Sequence, residues 1–332
     1  MIITKTPFRI SFFGGGTDYP DWYNINGGRV ISTTINKYCY ISIRHLPPFF
    51  NYKYRIRYFK NELCKSLKDI KHPTVRESLR YLKFYKNGIE ILHNADLPAL
   101  SGLGSSSTFT VGLINGLYYL IKKKIGKMRL AEEAILIEQQ FVKDYVGSQD
   151  QVAASFGGLN HITFDKKKIE VKNIFINKDY ENKFNKNFFL VFSGFQRKAN
   201  LITKRQVERI RTKKNYLYLN KIQEITKNAY VEIFNQKKLD IRKFADAFNE
   251  QWDIKKKLAN NITNQNLDNI YSEAIKNGAL GGKLLGAGGG GFFLFIVDDK
   301  NIKKFKKNFR NFLHVPFNIE KIGSTVIHNS EK

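Results

Sequence analysis

The segment Ser101-Gly102-Leu103-Gly104-Ser105-Ser106-Ser107 constrains this chain more than any other stretch. It stands directly before a helical pattern in which Phe109, Leu113, Leu117 and Ile121 recur every four residues. Glycines let a backbone adopt positive φ and approach a ligand closely. The first-turn N–H groups of the following helix have no intrahelical partner and carry partial positive charge, so the segment suits a phosphate. The plain alternative is N-capping, for which one serine suffices; here two glycines precede three serines. It is not a Walker A loop, because no lysine follows at the required spacing. Lys122, Lys123 and Lys124 complement the dipole at the helix end, and Gly126 is expected to stop it.

Two more glycine segments lie on either side. Leu284-Leu285-Gly286-Ala287-Gly288-Gly289-Gly290-Gly291 precedes the apolar run Phe292–Val297. Five glycines exceed the needs of a tight turn, since each loses backbone entropy on ordering; close approach to a ligand or another backbone is expected. Near the start, Arg9-Ile10-Ser11-Phe12-Phe13-Gly14-Gly15-Gly16-Thr17-Asp18-Tyr19 reads as a strand end and a turn. Further strands are expected at 28–35, 38–44, 52–59 and 88–93, and helices at 66–86 (interrupted near His72-Pro73) and 129–145. Beyond 188 come a strand, long basic helices over 200–235 and 239–277, and a closing strand, helix and strand.

At 332 residues the chain exceeds the roughly 250–300 at which one hydrophobic core stops growing, so two domains are expected. Charge and asparagine rise from Asp165 to Asn187, and the division is drawn there, into residues 1–184 and 185–332. Strands and helices mix in both halves, which makes the fold class α+β. No run of 18 apolar residues exists, so no transmembrane helix is expected, and the N-terminus reads as a first strand instead of a signal peptide. Two cysteines, Cys39 and Cys64, stand in no metal or redox spacing, which favours a reducing, cytoplasmic setting. Six scattered histidines give no zinc motif. The net charge of +27 is spread through turns, helices and termini alike, as compositional bias would spread it. It would attract anions, but no zinc finger, RNP-type motif or confined basic block points to nucleic acid.

In this order and at these separations, the three glycine segments resemble the three motifs of the GHMP kinase superfamily (galactokinase, homoserine, mevalonate and phosphomevalonate kinases). TPFRISFFGGGTDYP is similar to the substrate-side first motif in its sugar-kinase form, LPALSGLGSSS to the second and LLGAGGGG to the third. Together they span residues 6–291, nearly the whole chain. GSQDQVAASFGG, SGFQRKAN and IKHPTVRE resemble the branch that acts on D-glycero-D-manno-heptose 7-phosphate. Ser107 departs from the alanine many members carry.

The resemblance implies a two-domain fold, with an N-terminal ATP-binding domain, a C-terminal ferredoxin-like α/β domain and the active site in the cleft between them. It implies that Ser101, Gly102, Leu103, Gly104, Ser105, Ser106 and Ser107 wrap the phosphates of ATP, and that Ser106 and Glu138 hold Mg²⁺. Glu138 falls at the edge of the Leu130/Ala134/Ile137/Phe141 stripe and can point inward; Glu133 flanks the other edge and competes with it. Asp150, seven residues before Gly157-Gly158, matches the catalytic aspartate, and Arg9 the basic residue beside it. For Asp150 the plain alternative is a helix cap. Asp18, with Gly16, Thr17, Gly288 and Gly289, falls on the acceptor side, where Asp18 alone would be a turn residue. A sugar phosphate needs cations, for which Arg76, Arg197 and Lys198 are the candidates, against a reading of all three as a solvated basic face. The implied reaction is phosphoryl transfer from ATP to the anomeric hydroxyl of a heptose 7-phosphate, with no membrane or nucleic-acid partner and a homo-oligomer left open. Three rivals stand beside it: a galactokinase- or fucokinase-like enzyme for an uncharged sugar, a non-catalytic binding protein of this fold, and a charge-driven nucleic-acid module.

Overall fold

The computed structural model describes residues 1–196 and 200–330. Twelve strands, β1 (Ile2–Phe13), β2 (Gly28–Leu46), β3 (Tyr54–Arg57), β4 (Asn61–Cys64), β5 (Gly88–Ala95), β6 (Leu159–Phe164), β7 (Ile169–Asn173), β8 (Phe188–Phe192), β9 (Ala279–Leu284), β10 (Phe292–Val297), β11 (His314–Val315) and β12 (Thr325–Asn329), form two sheets among the described residues. The helices are α1 (Pro20–Asn26), α2 (Pro73–Tyr81), α3 (Ser105–Leu120), α4 (Lys127–Leu136), α5 (Gln149–Phe156), α6 (Lys178–Asn187), α7 (Asn200–Arg211), α8 (Tyr216–Ala229), α9 (Ile241–Leu258), α10 (Gln265–Lys276) and α11 (Ile302–Asn308).

The first sheet runs β12-β1-β2-β5-β3-β4, and its backbone is the 19-residue β2. One edge of β2 pairs along β1; the other pairs with β6 over Gly28–Thr33 and with β5 over Cys39–Leu46. The second sheet is wholly antiparallel, in the order β11-β8-β10-β9. Numbered within itself that order is 4-1-3-2, the ferredoxin-like arrangement. One of its two inner strands, β10, FFLFIV, is buried at every position because both faces are covered. The α+β class and the ferredoxin-like second sheet are as expected.

The two sheets share one core. At the end of β1, Phe12 meets Phe184, Phe234 and Phe244, and Phe13 meets Phe244 and Phe248. Strand β1 therefore pairs in the first sheet while its last side chains pack among helices of the second half. Such edge-to-face and tilted clusters add specificity to the area they bury.

Several elements depart from the sequence expectation. Helix α3 is buried almost all round, not on one face, because it is sandwiched between the first sheet and α4 and α5. Its chain ends at Leu120, before Gly126. Lys122 takes φ +58°, its N–H donates to the Tyr119 carbonyl, and the Lys123 N–H donates to Tyr118. That is a Schellman stop with lysine where glycine is usual, and Gly126 instead precedes α4 as its N-cap. The helix expected over 129–145 is α4 followed by a π turn, Ile137–Phe141. The 200–235 and 239–277 helices each split in two. Asn215 occupies the first break, accepting from Arg209 Nε and donating to the Leu258 carbonyl, and Asn264 caps α10 after the second. The strand expected at 52–59 narrows to β3, and Pro73 opens α2 where the interruption was foreseen.

A lysine in the left-handed region costs about 1–2 kcal/mol that glycine avoids. Lys122→Gly is expected to raise stability by roughly 0.5–1 kcal/mol in urea melts. Were the helix to run on to Gly126, the same change would lower it by about 1 kcal/mol.

Candidate active site

The three glycine segments converge on one cleft of about 360 Å³. Strand β1 supplies Arg9, whose side chain is only 6% exposed. Its Nε donates to Asp150 Oδ1 at 2.7 Å and its Nη2 to Oδ2 at 2.7 Å, a bidentate pair. Its Nη1 donates to the Gly102 carbonyl at 2.8 Å and its backbone N–H to that of Leu103 at 3.2 Å. One arginine thus fixes the serine–glycine loop and Asp150 relative to each other. Asp150 is the second residue of α5, whose N-cap is Ser148, so Asp150 does not serve as the cap.

The third segment explains its glycines through backbone contact. A Cβ on Gly286 would lie 2.5 Å from Gly102 Cα, and one on Gly102 2.7 Å from the Leu285 carbonyl. Both take positive φ, so the two loops lie against each other where no side chain fits. The Phe292 N–H donates to the Ser101 carbonyl, locking the same seam.

The loop serines are not caps. Gly104, in a left-handed conformation, is the N-cap of α3 and makes no side-chain bond. Ser106 Oγ instead donates to Glu138 Oε1 at 3.2 Å, Ser107 Oγ to Oε2 at 2.7 Å, and Thr110 Oγ1 to Oε1 at 2.7 Å; Gln151 donates to Oε2 as well. Glu138 sits in the π turn after α4, fully buried, and burial pushes its carboxyl up to about 7 against those donors. Glu133 is elsewhere, accepting from Tyr118 and Arg129. Of the two glutamates, only Glu138 meets the loop.

Asp18 accepts from the Gly16 N–H at 2.9 Å and the Gln149 N–H at 3.3 Å, and its carbonyl accepts from Ser148. Burial, then the Asp150 charge, raises its carboxyl above the usual range. Gly16, Asp18, Ser105, Ser106, Ser107 and Gly288 line the cleft with Arg9 and Asp150. Thr17 lies behind it, donating to the Gly14 and Arg29 carbonyls, and Gly289 donates to Ile262. Arg76 is not brought to the cleft. It donates to the Ile70 carbonyl and pairs with Glu77, because α2 turns it along its own N-terminal loop. Arg197 and Lys198 lie outside the described residues.

Two lysines in the wall went unread in the sequence. Lys255 of α9 donates to the Leu284 and Gly286 carbonyls, each at 2.6 Å, and Lys283 of β9 donates to the Phe12 carbonyl. Their signals are faint. Lys255 stands three residues past Trp252 and seven past Phe248, on the buried stripe, but within a Lys255-Lys256-Lys257 run that reads as a solvated face. Lys283 is a lone charge in an otherwise apolar and glycine strand.

The residues present suit a divalent cation held mainly by phosphates. Ser106 Oγ and Glu138 Oε1 are hard oxygens 3.2 Å apart, close to the spacing of neighbouring ligands around Mg²⁺ at about 2.1 Å. Among the described residues no group of three or more His, Cys, Asp or Glu could hold a metal unaided.

A raised carboxyl pKa means the folded state binds more protons than the unfolded chain between about 4.5 and 7. Stability from this group is therefore present below about pH 4.5 and lost as pH rises through about 7. Glu138→Gln is expected to remove that loss, so in chelator the variant gains on the parent, by on the order of 2 kcal/mol, between pH 5 and pH 7.5. Urea midpoints at the two pH values read it. An equal gap at both would show that the carboxyl does not titrate there.

Comparisons with known proteins agree with this geometry. The family model for the GHMP kinases N terminal domain matches residues 71–158, and that for GHMP kinases C terminal matches residues 233–315. The chain is 30% identical over 312 residues to a D-glycero-alpha-D-manno-heptose 7-phosphate kinase of Campylobacter jejuni, covering 90% of this chain and 89% of the relative. It is 25% identical to a galactokinase of Pyrococcus furiosus, covering 91% and 90%. In fold it matches a D-glycero-D-manno-heptose 1-phosphate kinase from Bacteroides thetaiotaomicron along 100% of both chains, with a TM-score of 0.77 at 22% identity. The chain belongs to the GHMP kinase family, and it is a sugar kinase, a phosphotransferase with an alcohol group as acceptor.

Proposed function

We propose that this kinase transfers the γ-phosphoryl group of ATP to the anomeric hydroxyl of D-glycero-D-manno-heptose 7-phosphate, giving the 1,7-bisphosphate and ADP. The observation that carries the reading is the bidentate Arg9–Asp150 pair, set where the serine–glycine loop meets the acceptor-side turn. The relative at 30% identity, named for this substrate, supports the choice of sugar. In this reading residues 1–184 form the nucleotide-binding domain and residues 185–332 close the cleft from the other side.

The chemistry follows from the groups present. Backbone N–H groups at the start of α3, with Ser105 and Ser106, cradle the nucleotide phosphates. Ser106 and Glu138 would hold Mg²⁺, which when bound neutralises phosphate oxygens. Asp150 presents its carboxylate to the acceptor hydroxyl, orients it and takes its proton as the oxygen–phosphorus bond forms and the bond to ADP breaks. Arg9 occupies one lone pair on each Asp150 oxygen and leaves others free, so the carboxylate is aimed without being used up. Asp18, held by two backbone N–H groups, accepts from a sugar hydroxyl.

A coupled ADP-release assay across free sugars and sugar 1-, 6- and 7-phosphates tests the substrate. The 7-phosphate of the heptose is expected to be the best acceptor, and a preference for an unphosphorylated hexose would overturn the choice. Asp150→Asn keeps the shape and removes the charge; kcat is expected to fall about 10²–10⁴-fold with nucleotide binding nearly unchanged. Near-normal turnover would leave positioning and phosphate stabilisation as the whole mechanism. Ser106→Ala is expected to weaken Mg·ATP use with the melting temperature close to the parent's, since this hydroxyl caps nothing. Parental kinetics with a lowered melting temperature would assign Ser106 to the fold alone.

A further inference from the structure

Lys255 and Lys283 are 8% and 3% exposed, yet both line the cleft. Neither has a carboxylate within ion-pair distance among the described residues. Their ammonium groups rest on neutral partners. For Lys255 these are two backbone carbonyls and, at 5.8 Å, the Trp252 ring. For Lys283 they are the Phe12 carbonyl and the faces of Phe248 at 4.5 Å and Phe13 at 6.0 Å. Carbonyl dipoles and ring faces orient a cation without cancelling its charge. The third cation nearby, Arg9, is already matched by Asp150. The wall between Arg9 and the Phe13 end of β1 therefore holds two buried amines with no carboxylate of its own to match them when they are protonated.

Leaving a charge buried and unmatched is strongly destabilising. Burial, together with neighbouring cations, drives Lys255 down to about 7 and Lys283 well below its ordinary value. The fold would relieve this by replacing either residue with methionine, and it keeps both. The missing component is an anion.

We propose that Lys255 and Lys283, beside Arg9, form a built pocket for a phosphoryl group of a substrate. This rests on the kinase reading above and extends it beyond the three cations that the sequence offers for that role, Arg76, Arg197 and Lys198. The group comes from one of two sources, the phosphoryl in transfer or the phosphate the acceptor already carries.

The test uses the full chain with Lys255→Gln and Lys283→Gln, which keep an N–H donor for the carbonyls and remove the charge. Inorganic phosphate is titrated by calorimetry and by melting temperature at fixed ionic strength, with ADP present to fill the serine–glycine loop and again without nucleotide. The parent is expected to bind phosphate and to melt higher in it. Each variant is expected to melt at or above the parent without phosphate and to bind phosphate at least 10-fold more weakly. Phosphate affinity equal to the parent's in both variants, or none in the parent, overturns the proposal. Steady-state kinetics separate the sources. A raised KM for the sugar phosphate with KM for ATP unchanged identifies the acceptor's phosphate; a lowered kcat with both KM values near the parent's identifies the phosphoryl in transfer. Should a variant fail to fold, amine acylation of the parent mapped by peptide mass decides, because phosphate must protect Lys255 and Lys283 and absent protection refutes the pocket. If no phosphorylated sugar is turned over, the substrate reading falls while phosphate binding still reports on the lysines.

Discussion

The bidentate pair between Arg9 and Asp150 is the contact on which the site depends. It joins the middle of β1 to the second residue of α5, 141 positions apart. A buried pair of this kind adds little net stability, but breaking it strands a charge and costs about 3–5 kcal/mol. Its value lies in position. The remaining guanidinium nitrogen and the backbone N–H of Arg9 reach Gly102 and Leu103, so loop, aspartate and strand share one reference frame. Asp150 is the more exposed partner, at 21% against 6%, which leaves its open side to the cleft.

Around that pair the glycine segments act as surfaces that fit each other. Gly102 against Leu285 and Gly286, and Gly291 against Ser101, bring two main chains within van der Waals range. A Cβ at either seam would displace backbone, and neighbouring backbone yields far less than the tip of a side chain. The consequence is functional, because loops seated on one another present their remaining N–H groups in a fixed array. Pre-organised donors of this sort cost nothing to arrange when charge develops.

How far the sequence reveals this site depends on the range of the interactions. The Ser101–Ser107 loop, the turn after Phe13 and the glycines before Phe292 are legible because their chemistry is local, residues whose φ and polarity have meaning on their own. Glu138 is legible only in part. Helical arithmetic brings it near the stripe, while the π turn that sets its depth comes from packing of α4 against α3 and α5. Lys122 as a helix stop is hidden because propensity assigns that place to glycine. Lys255, Lys283 and the turning away of Arg76 are tertiary facts, and no periodicity in a chain of net charge +27 distinguishes a buried lysine from a solvated one.

Burial pushes three ionisable groups toward their neutral forms: Lys255 and Lys283 in the cleft wall, and Glu138 beneath the serines that line it. The two lysines lie on the β1-end side, and the glutamate under the start of α3. A phosphoryl group against the lysines and a cation against the carboxylate, the arrangement proposed above, would have the complementary layout. Under the proposals above, such a ligand would favour the charged form of each group, and part of the free energy lost in burying them would be recovered on binding. On that reading the electrostatics of the cleft would balance only around an anion and its cation, which is why the same shape lined by hydrophobic residues would fold more stably and bind nothing charged.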